Sequence, residues 1–226
     1  MLRARNDYPL MHTPRGVAIW PALNEPDFKY KKEFGEYHAR IRLEPGAPGL
    51  AELIEAAEAI RDEAYDAKVE ELTRQKKGAL LKQLTKADVI KPEINQEDGE
   101  ETGFLVLRAA ASAGGKKKDG STFTKRPHLF NSQGRPLKNP PPIGSGSELI
   151  LSVRPMDYET DGGKTIGARF ELEAVQVLKA VSFGERSASD YGFSAVEDAD
   201  VVEDQEGNAY GFQNQGGDAD EGPDDF

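Results

Sequence analysis

The chain has 226 residues and no cysteine, which allows one domain of moderate size with tails and excludes disulfides, thiolate zinc sites and thiol catalysis. Its net charge of -11 is unevenly placed: Val196–Phe226 carries eleven acids and no Lys or Arg, leaving 29 acids against 29 bases in residues 1–195. No apolar run reaches the roughly 18 residues of a membrane span, and "MLRARNDYPL" lacks a signal-peptide core, so a soluble protein of a cytoplasm-like compartment is expected.

In chain order, "GVAIWP" (16–21) is β-prone, and Pro21 is expected to end the strand. The following "PALNEPDFKYKKEFG" reads as a turn-rich connection. "EYHARIRLE" (36–44) alternates cleanly, with Tyr37, Ala39, Ile41 and Leu43 on one face and His38, Arg40 and Arg42 on the other. That period of two predicts a half-buried strand. "APGLAELIEAAEAIRDEAYDAKVEELTRQ" carries the one strong helical pattern: Leu50, Leu53, Ile54, Ala57, Ile60, Ala64 and Leu72 form an apolar stripe, and Pro48 suits the first turn. Gly78 interrupts it, and Leu80, Leu81 and Leu84 point to a short second helix.

"GFLVLRAAA" (103–111) predicts a strand with Leu105, Leu107 and Ala109 on one face and Phe104, Val106 and Arg108 on the other. "SAGGKKKDGSTFTKR" reads as a mobile basic loop. A short strand at Leu129 and Phe130, a turn at Gln133–Gly134 and a Pro/Gly loop follow. "ELILSVRPMDYE" (148–159) and "KTIGARFELEAVQVLKAV" (164–181) form a hairpin around "DGG", with a slip in alternation near Ala174–Val175 that predicts a bulge. The expected fold is mainly β with one long helix: an OB-fold-like barrel of five to six strands, with a split α+β sandwich as the alternative. Residues 1–186 form the domain, 48–86 a helical insertion between strands, and 187–226 an acidic tail too poor in apolar residues to order alone.

Catalytic patterns are absent. "GSGS" (144–147) lacks the Lys-Ser/Thr of a phosphate loop, and no HExxH, GxSxG or paired-carboxylate motif occurs. His12, His38 and His128 lack metal-ligand spacing. The chain is therefore expected to be no enzyme and to need no cofactor or metal. Nucleic-acid signals are better. Between Arg108 and Lys138 there are eight bases and one acid, Asp119, with aromatics interleaved. Single strands are held by cations on the phosphates and by rings on the bases. Arg40, Arg42, Phe104 and Arg108 fall on strand faces opposite the core, and Lys116, Lys117, Lys118, Lys125 and Arg126 extend the patch. Trp20, Phe130 and Tyr158 are further candidate stacking rings. Each has a plainer reading as solvated charge or core, and the conjunction carries the argument. An interaction adaptor with a DNA-mimicking acidic tail, binding no DNA, is the alternative function.

The chain resembles the T7-type phage single-stranded DNA-binding proteins along nearly its whole length. The resemblance rests on "TPRGVAIWPALNEPDFKY", on "PHLFNSQGRPL" with "IGSGSELILSVRPMDYE", on "GARFELEAVQVLKAV", and on the acidic ending "DEGPDDF". It implies an OB-fold protein that coats single strands during replication and recombination in the infected bacterial cytoplasm and helps complementary strands anneal. It also implies a capacity to form homodimers, and a tail that contacts the replicative polymerase and the helicase-primase. Asp218, Asp220, Glu221, Asp224, Asp225 and Phe226 are the expected partner-binding residues of that tail. Tethered beside a basic groove, its carboxylates are expected to screen the groove until DNA displaces them.

Overall fold

A computed structural model of the chain describes residues 4–29, 33–95 and 97–182. Alternating apolar residues give five long strands: β2 (Gly16–Asp27) and β3 (Glu36–Leu43) early in the chain, β6 (Glu101–Ser112) in the middle, β10 (Glu148–Thr160) and β11 (Thr165–Lys179) at the end. The short elements are β1 (Met11–His12), α2 (Gly78–Leu81), β4 (Thr85–Lys86), β5 (Lys91–Ile94), β7 (Gly114–Lys116), β8 (Thr122–Thr124) and β9 (His128–Phe130). One long helix, α1 (Leu50–Arg74), follows β3.

The long strands pair in the order β10-β2-β3-β6-β11, and β10 also pairs with β11, so the sheet closes on itself. All joins are antiparallel except that of β6 with β11. Closure runs through short joins: β10 meets β2 at Glu148–Val17 and Leu149–Gly16, and β11 meets β6 at Phe170–Ala109 and Glu171–Ala110. This is the expected OB-like barrel. Its interior holds Ile41, Leu43, Leu107, Ala109, Leu149, Leu151, Val153, Phe170, Leu172 and Val175, all essentially buried. The inward set of β3 is the predicted one, Tyr37, Ala39, Ile41 and Leu43. On β6 the barrel takes Leu107 and Ala109, with Leu105 partly buried against it. The predicted bulge appears opposite Ser152 and Val153, whose partners skip from Ala174 to Leu172.

Helix α1 starts two residues after Pro48, on Gly49 in the left-handed region (φ 83°). Its stripe is used as expected. Leu50, Leu53 and Ala57 enter the barrel core, while Leu72 joins Leu84 and Ile166 in a second cluster. Each fully buried leucine of this kind contributes about 1.5–3 kcal/mol of transfer free energy.

Two expectations fail locally. Pro21 does not end the first strand: β2 runs on to Asp27, with its pairing to β3 slipping between Ile19 and Ala22. A bulge leaves a proline's missing N–H without consequence for the ladder, so the chain re-enters the strand beyond it. "SAGGKKKDGSTFTKR" is a hairpin rather than a loop, with Gly114 opposite Thr124 and Lys116 opposite Thr122. Its glycines admit aromatic rings at close range. A Cβ on Gly115 would lie 3.0 Å from the Phe123 ring, and one on Gly114 would lie 3.1 Å from the Phe34 ring.

Candidate nucleic-acid interface

Alternation decides which side chains leave the barrel. On β3 the outward set is Glu36, His38, Arg40 and Arg42; on β6 it includes Phe104, Val106 and Arg108. The register then sets neighbours. Arg40 stands directly opposite Arg108, and Arg42 opposite Val106. Strand β11 runs parallel to β6 with Phe170 beside Ala109, which brings the exposed Arg169 level with Arg108. Three arginines thus form one row across three adjacent strands, spanning roughly 10 Å at two inter-strand spacings.

This row lines a groove of about 1270 Å³, whose other walls include Trp20, Lys91, Glu93, Tyr158 and Phe170. Trp20 reaches it by way of the bulge in β2. Its backbone lies in the left-handed region (φ 48°), unusual for a bulky residue, and its ring is 65% exposed. The "GSGS" loop holds that geometry. The Trp20 N–H donates to Ser145 Oγ (2.8 Å), the Ala18 N–H to the Ser147 carbonyl (2.8 Å) and the Gly146 N–H to the Ala18 carbonyl (2.9 Å). Buried Ser147 also ties the loop to the segment just beyond β11, its Oγ accepting from the Val181 N–H (2.9 Å). At the groove's other end Tyr158 pairs across the hairpin with Gly167, and a Cβ there would overlap the Tyr158 ring.

Arg42 and Phe104 sit beside the groove as a unit. The Arg42 guanidinium lies over the Phe104 ring, 5.4 Å from its centroid, and donates through Nε (2.9 Å) and Nη2 (2.5 Å) to Glu93 Oε1. Thr102 donates to the other Glu93 oxygen (2.7 Å). Burial pushes the Glu93 carboxyl up, but the bonds from Arg42 and Thr102 prevail and hold it below the usual carboxylate range. Arg108 is bound by Glu36. His38, between Glu36 and Arg40 on the same face, is held below its ordinary value by burial, which outweighs its contact with Asp27 (3.3 Å).

The remaining sequence candidates lie elsewhere. Lys116, Lys117 and Lys118 belong to the β7–β8 hairpin and its turn, where Lys116 pairs with Glu33 (2.7 Å). Lys125 follows that hairpin and pairs with Glu171 on β11 (3.2 Å), and Arg126 is exposed beside it. Half-buried Phe130 lies on β9 next to Gln176, against His128. None of these lines the groove. Asp218, Asp220, Glu221, Asp224, Asp225 and Phe226 lie outside the described residues. Two cations of the groove were not anticipated, Arg169 and Lys91. Among the described residues no group of three His, Asp or Glu is placed to hold a metal, and no helix is long and apolar enough to cross a membrane.

The sequence model of a family described as "Single-stranded DNA-binding protein, Bacteriophage T7" matches residues 16–180. The chain belongs to this family. Its members form a binding class, not a catalytic one. The match begins with β2 and ends just beyond β11, so it takes in the whole closed barrel and every groove residue. Among solved structures, gp2.5, a single-stranded DNA-binding protein encoded by bacteriophage T7, is similar with a TM-score of 0.63 and 20% identity, over 87% of this chain and 100% of that one. That likeness shows a shared fold. The single-stranded DNA-binding protein of bacteriophage Enc34 in complex with ssDNA is similar with a TM-score of 0.48 and 21% identity, over 76% of this chain and 88% of that one. Comparison with curated proteins gave no match.

Proposed function

We propose that this member of the family coats single-stranded DNA without sequence preference, and that the strand runs along the groove from Trp20 past Arg40, Arg108 and Arg169 to Tyr158. The arginine row carries the reading. Like charges directly opposite on antiparallel strands are destabilising, and Arg40 faces Arg108. Glu36 offsets part of that cost at Arg108, and a polyanion lying across the row offsets the rest. Rings at both ends of the row offer stacking faces to any base, which suits binding indifferent to sequence. Arg42 with Phe104 widens the path, and Lys116, Lys117, Lys118, Lys125, Arg126 and Phe130 form an outer, secondary contact.

In this reading residues 1–186 are the binding domain and 187–226 an interaction tail. The tail's acids compete for the groove, and once displaced by DNA they engage basic pockets on the replicative polymerase and helicase-primase, with Phe226 filling an apolar cleft. Annealing of complementary strands, homodimer formation and action inside the infected bacterium belong to the same proposal. The test is a gel shift with single- and double-stranded oligonucleotides across salt. Preferential retardation of single strands, falling steeply with salt, is expected. No retardation of oligonucleotides at the lowest salt would favour the adaptor reading and overturn this one.

A further inference from the structure

The cations of the proposed binding path and its outer contact differ in one respect that the single-strand reading leaves unexplained. Arg42 is 42% exposed over a Glu93 that is 13% exposed, and Arg108 is 43% exposed over a Glu36 that is 16% exposed. Lys125 and Glu171 repeat the arrangement at 36% and 14%. In each pair the acid is sunk against the sheet and the cation lies above it. The pair of Lys116 and Glu33 is different, with both partners about equally open at 58% and 61%.

Sunken carboxylates do not let go easily. An exposed pair separates at little cost, whereas a carboxylate left unpaired near the sheet loses solvation that nothing replaces. Glu93 is further fixed by Thr102. A phosphate arriving at Arg42 therefore meets a guanidinium already neutralised by its neighbour, with Nε and Nη2 committed. Only the remaining donor edge is available, and the net charge offered to the strand is small.

Resting on the single-strand reading, we propose that Glu93 and Glu36 are built-in counter-ions that attenuate binding by Arg42 and Arg108, so that the barrel limits its own affinity independently of the acidic tail. They are positioning residues: they act through the arginines rather than by holding the phosphates themselves.

The experiment measures the affinity of the full chain for an oligo(dT) strand at several salt concentrations, for the unaltered protein, Glu93→Gln, Glu36→Gln and the double variant. Each phosphate neutralised on a single strand adds about 0.7 to the slope of log affinity against log salt. Each single variant is expected to bind more tightly at low salt and to steepen the slope by about 0.7. That is about a threefold greater loss of affinity over a fourfold rise in salt. The double variant steepens it by about 1.4. Thermal melting identifies the folded variants, and if Glu93→Gln does not fold, Glu36→Gln decides. Unchanged slopes or weaker binding in the folded variants overturn the inference, because the carboxylates then merely orient the arginines. An unaltered chain that binds no oligo(dT) overturns the single-strand reading itself, a different and recognisable outcome.

Discussion

Trp20 concentrates strain and exposure in one residue. A left-handed backbone costs a bulky side chain on the order of 1–3 kcal/mol, and the ring recovers little of it by burial, being 65% exposed. Trp20→Gly relieves the strain, so its urea midpoint is expected to hold or rise. Its affinity for single strands should fall by about 1–3 kcal/mol, the worth of one stacked base. A variant that loses stability instead would show the ring to be part of the core. Gly167→Ala acts from the other end of the groove by driving the Tyr158 ring off the strand, and near-UV circular dichroism should register the displacement. His38 makes stability depend on pH. Its folded value lies below 6.5, so the unfolded chain binds more protons as pH falls past that value. The stability it contributes is complete above pH 6.5 and is lost progressively as pH drops from there toward the folded value. Urea midpoints across pH should show this decline, and His38→Gln should flatten it. Arg40, Arg42 and Arg108 were legible one by one, since alternation alone puts them outside. Arg169 was not, because its place depends on the parallel register of β11 with β6, a pairing between distant segments that no local pattern encodes.

At the scale of elements, legibility followed burial on one face. β3, β6 and α1 each carry one apolar face and announced themselves by period. The second half of β2 did not. Pro21 reads as a stop unless the bulge before it is known, and that bulge is held by "GSGS", far away in sequence. The β7–β8 hairpin was hidden by its glycines and lysines, which are weak strand formers. In it the rings of Phe34 and Phe123 lie where the glycines have no side chains. Helix α1 is anchored by Leu53, which is fully buried in the barrel core. Leu53→Ala should cost about 2–5 kcal/mol in urea-unfolding free energy. Single-strand affinity of the folded fraction should change little, since α1 residues do not line the groove.

Across the whole molecule, the charge is divided between a neutral body and an acidic stretch, and this division was plain from counting alone. Deleting residues 196–226 removes eleven acids. The truncated chain is expected to bind single strands more tightly at low salt and, on the proposal made above, to bind neither the replicative polymerase nor the helicase-primase, read by gel shift and by co-sedimentation. Weaker DNA binding would argue against competition between the tail and the groove. Phe226→Ala should abolish the protein contacts while leaving DNA affinity unchanged. The barrel's closure bears on how the protein is made. Val17 pairs with Arg42 on one side, but its partner on the other side, Glu148, lies far along the chain. Until β10 emerges, the start of β2 keeps one side of its backbone unsatisfied, an open template for a neighbouring nascent chain. Pairings between such distant segments also form slowly. A crowded burst of synthesis therefore threatens this fold most before β10 has been made, and slowing translation just ahead of the codons for β10 should lower the soluble yield.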